Sequence, residues 1–110
     1  MERGRRTATV EDVRQVCLSL PGVSERLSWK QPAWFARSLM ARMWDEDSLT
    51  VKSAEREALA ALHPDIYFWT PHHESSPLLV LVRLAYVPQD EQAEMLHESY
   101  RLAGALPPTV

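Results

Sequence analysis

The chain has 110 residues, 45% of them hydrophobic, which is enough for one domain and too few for two. Its net charge of −3 argues against a strongly basic nucleic-acid binder, and the single cysteine, Cys17, excludes an internal disulfide framework. The longest apolar run, residues 78–82, is too short to cross a bilayer, and the opening MERGRR lacks the apolar segment of a secretory signal. Together these features predict a soluble, cytoplasmic protein without membrane contact.

Charge is divided unevenly along the chain. Residues 1–6 hold three arginines against one glutamate, which leaves 9 of the 12 basic and 14 of the 15 acidic groups for the other 104 residues, a net of −5. We therefore expect a flexible basic tail over residues 1–8, a single domain over residues 9–106 and a C-terminal tail over residues 107–110. A domain with this balance binds phosphate backbones only if it gathers its few cations on one face.

The first predicted element is a helix that begins after Thr9. The Thr9 hydroxyl can accept a hydrogen bond from a first-turn N–H, and Asp12 follows three residues later, as in a capping box. Pro21 and Gly22 end the helix. Its apolar stripe consists of Val10, Val13, Val16, Cys17 and Leu20. Cys17 is therefore expected to be a buried, unreactive thiol.

Strands dominate the rest of the chain. Three are predicted over residues 33–37, 39–44 and 48–52, with the acidic turn 45–47 joining the last two as a hairpin. Ser53 is the predicted N-cap of a second helix, whose stripe is Ala54, Ala58, Leu59 and Leu62. Two further strands are predicted over residues 66–70 and 78–87. A last helix opens at Pro88 and Asp90, with a buried stripe of Ala93, Leu96, Tyr100 and Ala103.

The resulting order of elements is α-β-β-β-α-β-β-α. With short connections and a hairpin, this order predicts an α+β two-layer sandwich. Its sheet has five antiparallel strands, and its three helices lie mainly on one face.

Several motifs, taken in order, resemble those of the MmcQ/YjbR-like family. They are SLPGVSE, KQPAWF, EREAL, HPDIYFWTPHH, LLVLVRLAYV and YRLAG, and the resemblance covers residues 10–106. It implies a small double-wing or CyaY-like fold in a cytoplasmic protein of bacterial type. It also implies DNA binding, with no established enzymatic activity or cofactor.

The chain departs from the family pattern in two places. ARSL occupies residues 36–39, where the family usually has a glycine turn and a lysine. His73 stands where the family pattern Pro-His-Tyr has its tyrosine.

His72, His73 and Glu74 form the most conspicuous cluster of metal-ligand residue types. Structural zinc needs about four ligands, and catalytic zinc needs three. Adjacent side chains of an extended segment point to opposite faces, so His72 and His73 are not expected to share an ion. We therefore predict no metal site, and we interpret both histidines as residues of a loop between the fourth and fifth strands.

No pattern of residues marks a catalytic centre. The chain has three glycines, none in a phosphate-binding loop, and no serine in a nucleophile-elbow context. The carboxylates of the last helix, Glu91, Glu94 and Glu98, are interpreted as solvating an exposed face. We predict no catalytic residue and no cofactor.

Strand alternation supplies the candidate binding face. One face takes Leu39, Ala41, Met43, Leu49, Val51, Leu78, Val80, Val82 and Leu84. The other takes Met40, Arg42, Trp44, Ser48, Thr50, Lys52, Leu79, Leu81 and Arg83. Because the helices cover one face, the second face is expected to be open, and with the adjacent loop it offers Arg42, Trp44, Lys52, Arg83 and His72. Cations interleaved with aromatic rings suit phosphate neutralisation and base stacking.

Three functions stay open at this point. The first is a non-enzymatic domain that binds nucleic acid through the open face. The second is a protein-interaction or chaperone-like module that uses the same face, with a second copy or another protein as the partner. The third is a small-molecule or catalytic pocket near Trp34, His72 and Arg83. Trp29, Trp34 and Trp69 are otherwise interpreted as core or edge packing.

Overall fold

The structure, a computed structural model, describes residues 6–104, which contain three α-helices and one sheet. The helices are α1 (Val10–Ser19), α2 (Arg56–Leu62) and α3 (Gln89–Leu102), and 3-10 helices occupy Pro71–His73 and Leu84–Tyr86. The strands are β1 (Ser24–Ser28), β2 (Gln31–Phe35), β3 (Leu39–Met43), β4 (Ser48–Lys52), β5 (Tyr67–Phe68) and β6 (Leu79–Arg83). No helix in this part of the chain is both long and apolar enough to cross a membrane.

The strands form one antiparallel sheet in the order β1-β2-β3-β4-β6-β5. The predicted α+β class is confirmed, but the sheet has a sixth strand, β1, at its edge. The sequence of β1, SERLS, has a single leucine, and Leu27 is 77% exposed. Backbone pairing with β2, rather than burial, therefore holds this strand, and apolar periodicity does not reveal it. The last predicted strand is shorter than expected, because residues 84–86 form a 3-10 helix.

The predicted capping box opens α1. Thr9 Oγ1 accepts a hydrogen bond from the Asp12 N–H at 3.2 Å, and the Asp12 carboxylate accepts one from the Thr9 N–H at 3.0 Å. The same carboxylate binds the Arg6 guanidinium at 2.6 Å. The Arg6 contact, together with the Thr9 hydrogen bonds, holds the pKa of Asp12 below its usual value.

Residues 6–8 are not the flexible tail that the charge distribution predicts. Thr7 forms a β-bridge with Pro88, and the Ala8 N–H donates to the Val87 carbonyl at 2.9 Å. Ala8 is buried, so backbone pairing and packing order this segment. The rest of the two predicted tails and the end of the predicted domain fall on residues 1–5 and 105–110, outside the described residues.

The core lies between the sheet and the helices α1 and α3. Its buried cluster joins Val13 and Cys17 of α1 and Leu96 and Ala103 of α3 to the strand residues Trp34, Ala41, Met43, Leu49, Val51, Val80 and Val82. The predicted stripe of α1 is confirmed, since all its members lie in this cluster or pack against it. Burial raises the pKa of the Cys17 thiol to about 12, so this thiol stays protonated at neutral pH.

The predicted stripe of α2 is wrong. Leu62 is 73% exposed, and Leu59 alone among the predicted members packs against the core. The helix buries Arg56 instead. Ser53 precedes the helix, where its hydroxyl accepts a hydrogen bond from the Glu55 N–H at 3.1 Å.

A β-bulge in β3 changes the predicted faces of two residues. Trp34 pairs with Ala41, whereas Phe35 pairs with Leu39, which leaves Met40 as the additional residue. Met40 is fully buried in the core cluster rather than on the open face. Leu39 instead lies on the same face of the sheet as its pairing partner Phe35, opposite the core.

A two-residue turn, Trp29 and Lys30, joins β1 to β2. Both residues have left-handed backbone angles, with φ of 55° and 68°. A tight hairpin turn of this handedness matches the twist of the strands, but it favours Asn-Gly, and a bulky residue there costs of order 1 kcal/mol. The turn holds the Trp29 side chain 85% exposed at the edge of the sheet, so the prediction of a packed Trp29 is wrong.

Arg56 fixes the segment between β5 and β6. Its buried guanidinium lies over the Trp69 ring, 4.1 Å from the centroid. It also donates to four backbone carbonyls at 2.9 to 3.1 Å, those of His73, Glu74, Ser76 and Leu79. One side chain thereby holds three carbonyls of a segment that has little regular structure of its own, together with the first carbonyl of β6.

Glu25 connects the edge of the sheet to α1. Its carboxylate accepts hydrogen bonds from Arg14 Nε at 2.9 Å and from the Trp34 indole N–H at 2.9 Å. The Arg14 contact is the main cause of the lowered pKa of Glu25, and the Trp34 hydrogen bond adds to it. The folded-state pKa lies below the unfolded value of about 4.3. This carboxylate therefore stabilises the fold above that pH, and the contribution is lost as the pH falls through the folded-state pKa.

We expect Arg56→Leu to lower the free energy of unfolding by about 3 kcal/mol or more, because four carbonyls lose a charged donor whose own side chain is buried. Urea denaturation followed by circular dichroism measures the change. Arg101→Leu is the matched control on the exposed surface of α3, with an expected change within about 0.5 kcal/mol. Equal losses in the two variants would contradict the proposed role of Arg56.

We expect Glu25→Gln to lower stability by about 1 kcal/mol at pH 7, because the amide oxygen still accepts from Trp34 but Arg14 loses one of its two carboxylate partners and keeps the exposed one, Glu11. The difference from the natural chain should shrink towards zero as the pH falls from about 5 to 3, where the carboxylate becomes protonated. Urea midpoints measured across this range test the prediction. Curves that stay parallel down to pH ~3 would show that the charge of Glu25 does not contribute.

Candidate functional site

The pairing register places the basic and the acidic residues of the strands on opposite faces of the sheet. Glu25, the one acidic residue of the described strands, pairs with Trp34 and so lies on the face that α1 and α3 cover. The four basic strand residues are Arg26, Arg42, Lys52 and Arg83, and their pairing partners Ala33, Thr50, Leu79 and Ser48 all belong to the opposite face. We call this surface of the sheet, opposite α1 and α3, the cationic face.

Three of the four cations on this face lie against aromatic rings. The distances from guanidinium carbon to ring centroid are 3.9 Å for Arg26 over Phe35, 5.4 Å for Arg42 over Trp44 and 4.0 Å for Arg83 over Phe68. All three are within the range of cation–π attraction. The pairs occur on β1–β2, at β3 and on β5–β6, so they extend across the whole width of the sheet.

The candidate site is an open cleft of about 380 Å³ on the cationic face, which we call the tryptophan cleft. It is lined by Trp29, Arg42, Trp44 and His72. Arg42 and Trp44 come from β3 and its end, Trp29 from the β1–β2 turn, and His72 from the 3-10 helix Pro71–His73. The fold therefore brings together three of the five predicted binding residues, in a volume typical of small-ligand sites.

The two histidines lie between β5 and β6, the fourth and fifth strands of the prediction, but in a 3-10 helix rather than in an extended segment. Both rings reach Trp44, with centroid distances of 5.8 Å for His72 and 4.7 Å for His73. His73 is buried, and its Nδ1 lies 2.8 Å from Thr70 Oγ1. Burial, assisted by neighbouring positive charge, lowers the pKa of His73 and keeps the ring neutral. His73 thus supports Trp44, while the exposed His72 faces the cleft.

Arg83 lies in a second cleft, of about 460 Å³. Phe68 and Tyr86 supply its aromatic surface, and Tyr86 is 57% exposed. Asp45 and Asp47 of the β3–β4 turn line the same cleft and offset part of the positive charge. This cleft is therefore less favourable to an anion than the tryptophan cleft, which has no acidic residue in its lining.

Lys52 lies in a third cleft, of about 430 Å³, apart from Arg42 and Trp44. Its Nζ donates to Ser38 Oγ at 2.9 Å, and burial lowers the pKa of the lysine. The rest of the lining is mainly apolar and consists of Leu39, Ser76, Pro77, Leu78 and Leu79.

The pocket predicted near Trp34, His72 and Arg83 does not form. Trp34 is fully buried in the core, on the face that α1 and α3 cover, whereas His72 and Arg83 line two different clefts on the cationic face. Within residues 6–104, no group of three or more histidine, cysteine or carboxylate side chains is positioned to hold a metal ion.

Sequence reasoning missed Arg26, Phe68 and Trp29. Arg26 was missed because its strand, β1, has no apolar alternation. A sequence signal for Trp29 exists in retrospect: SERLS and QPAWF flank a two-residue gap, the spacing of a tight hairpin, although Trp-Lys replaces the usual Asn-Gly.

Comparisons with known proteins agree with this architecture. The family model described as YjbR matches residues 18–102. A crystal structure of Deinococcus radiodurans protein DR2400, described as having a DUF419 domain, is similar with a TM-score of 0.78 and 25% sequence identity, over 94% of this chain and 84% of that one. A search of curated proteins finds no match. On the strength of the family model and the shared fold, the chain belongs to the YjbR family.

Proposed function

We propose that this protein binds nucleic acid through the cationic face. The observation that carries the proposal is the separation of charge in the sheet: four basic residues share a face that holds no acidic residue of the described strands. Such a face attracts phosphates although the whole chain has a net charge of −3, because potential depends on the local arrangement of charges. The DNA-binding label implied by the family resemblance agrees with this proposal.

The positions of the cations suit a phosphate chain that crosses the strands. Arg26, Ala33 and Arg42 form one row over β1, β2 and β3. With strands about 4.8 Å apart, the Cα atoms of the two arginines are separated by about 10 Å. Arg83 continues the series on β6, two strands beyond β3. An extended backbone laid along this row can contact the Arg26 and Arg42 guanidinium groups, and the aromatic rings beside them can contact its bases. Arg83 lies farther along the same face, beyond Thr50 and Leu81, which are buried.

The helices favour a single strand over a duplex as the ligand. Proteins that read a duplex with a helix place a basic helix in the major groove, whereas α3 bears four carboxylates and one arginine. Arg14 of α1 is already paired with Glu11 and Glu25. A sheet surface with arginines and rings is the type of platform that binds unpaired strands.

We expect a short oligothymidylate to bind with an affinity that falls with salt, by a log–log slope of roughly −3 if all four cations neutralise phosphates. Arg42→Ala should weaken binding about tenfold at low salt and make the slope shallower by about 0.7, since one phosphate contact is lost. Fluorescence anisotropy over a salt series measures both quantities.

Arg101→Ala is the matched control for this experiment. It removes the same charge from the exposed surface of α3, on the other side of the sheet, and should leave both affinity and slope nearly unchanged. Absence of binding at low salt, or equal weakening by the two substitutions, would contradict the proposal.

Binding of another protein, or of a second copy, is the competing function, and the apolar third cleft beside Lys52 favours it. Self-association through the cationic face predicts a dimer in sedimentation velocity that Trp44→Arg disrupts. A monomer at all concentrations would contradict self-association and leave the cationic face free for nucleic acid.

A further inference from the structure

We infer that the tryptophan cleft holds an unpaired base, with Trp29 and Trp44 as the stacking surfaces. The inference rests on the proposed function and extends it. It assigns the base contact to a particular cleft, and it makes the ligand single-stranded because a base in a duplex is already paired and stacked.

The first observation is the exposure of Trp29. At 85%, it is the most exposed large hydrophobic side chain in residues 6–104. Its ring contributes little burial to the fold, and its backbone has a left-handed φ of 55° that disfavours a bulky residue. The turn would be more stable with asparagine or glycine at this position. A tryptophan that weakens the turn and packs on little else in the domain fits a role in contacting a ligand.

The second observation is that neighbouring side chains hold the Trp44 ring in place. The buried His73 ring meets it edge-on at 4.7 Å, and the Arg42 guanidinium lies 5.4 Å from it. His73 is in turn fixed by Thr70 and by the Arg56 contact to its carbonyl. One wall of the cleft is therefore positioned by contacts within the protein before a ligand binds, which reduces the entropy lost on binding.

The polar lining fits a nucleotide unit. Arg42 places a permanent positive charge in the cleft, where a phosphate can bind. The exposed His72 offers ring nitrogens that can donate to or accept from a base edge. The lining contains no carboxylate to repel the phosphate. Rings for a base and a cation for its phosphate thus occur within one cleft of about 380 Å³.

The test compares three ligands of equal length by anisotropy: an oligothymidylate, an abasic strand with the same phosphates, and a duplex. We expect the oligothymidylate to bind about 5- to 100-fold more tightly than the abasic strand, the range that stacking of one base supplies. The duplex should bind no better than the abasic strand. Trp29→Asn should weaken oligothymidylate binding towards that of the abasic strand without changing the salt slope, because it removes one of the two stacking rings and no charge.

Two measurements keep the result interpretable. The melting temperature of Trp29→Asn should be equal to or above that of the natural chain, since asparagine tolerates the left-handed angle. Leu27→Ala, which truncates another highly exposed side chain, in β1 and outside the cleft, should leave binding unchanged. Equal binding of oligothymidylate and abasic strand would overturn the stacking inference while supporting the cationic face. Failure of all three ligands to bind would overturn the proposed function itself, and with it the stacking inference.

Discussion

The buried guanidinium of Arg56 determines the arrangement of the surface around the candidate site. Residues 70–77 contain little repetitive backbone pairing, and a segment of this kind normally lies in water. Here the carbonyls of this segment converge on one side chain from α2, which holds the 3-10 helix Pro71–His73 against Trp44. The position of His72, and hence one wall of the tryptophan cleft, depends on a residue that does not line the cleft.

The sheet imposes a second constraint, because alternation gives every strand residue to one face or the other. Helices α1 and α3 cover one face and require it to be apolar, so charged strand residues are confined to the other unless they find a partner. Glu25 has such partners in Arg14 and Trp34, and it is the one charged residue of the described strands on the covered face. The cationic face thus arises from the same packing that builds the core. This explains how a chain with an excess of acidic residues still presents a basic surface.

The residues that would most stabilise the β1–β2 turn differ from the tryptophan that the proposed function requires there. Asparagine and glycine would relieve its left-handed backbone, yet Trp and Lys occupy it. The turn lies at the edge of the sheet, and neither of its two residues belongs to the core cluster. A tryptophan can therefore be held in an unfavourable conformation at a cost of order 1 kcal/mol, which a domain of this size tolerates.

The local features of the fold follow from the sequence alone. Thr9 and Asp12 mark the start of α1, the acidic turn 45–47 joins two strands, and the apolar run 78–82 marks the interior strand β6. Each of these depends on neighbours along the chain, so the pattern is sufficient. The remaining features of the sheet and of the candidate site depend on tertiary contacts. Backbone pairing with β2 makes β1 a strand, a bulge turns Met40 inwards, and α2 buries Arg56 to satisfy carbonyls about 20 residues away. These outcomes depend on partners remote in sequence, whose hydrogen bonds and packing no local periodicity encodes.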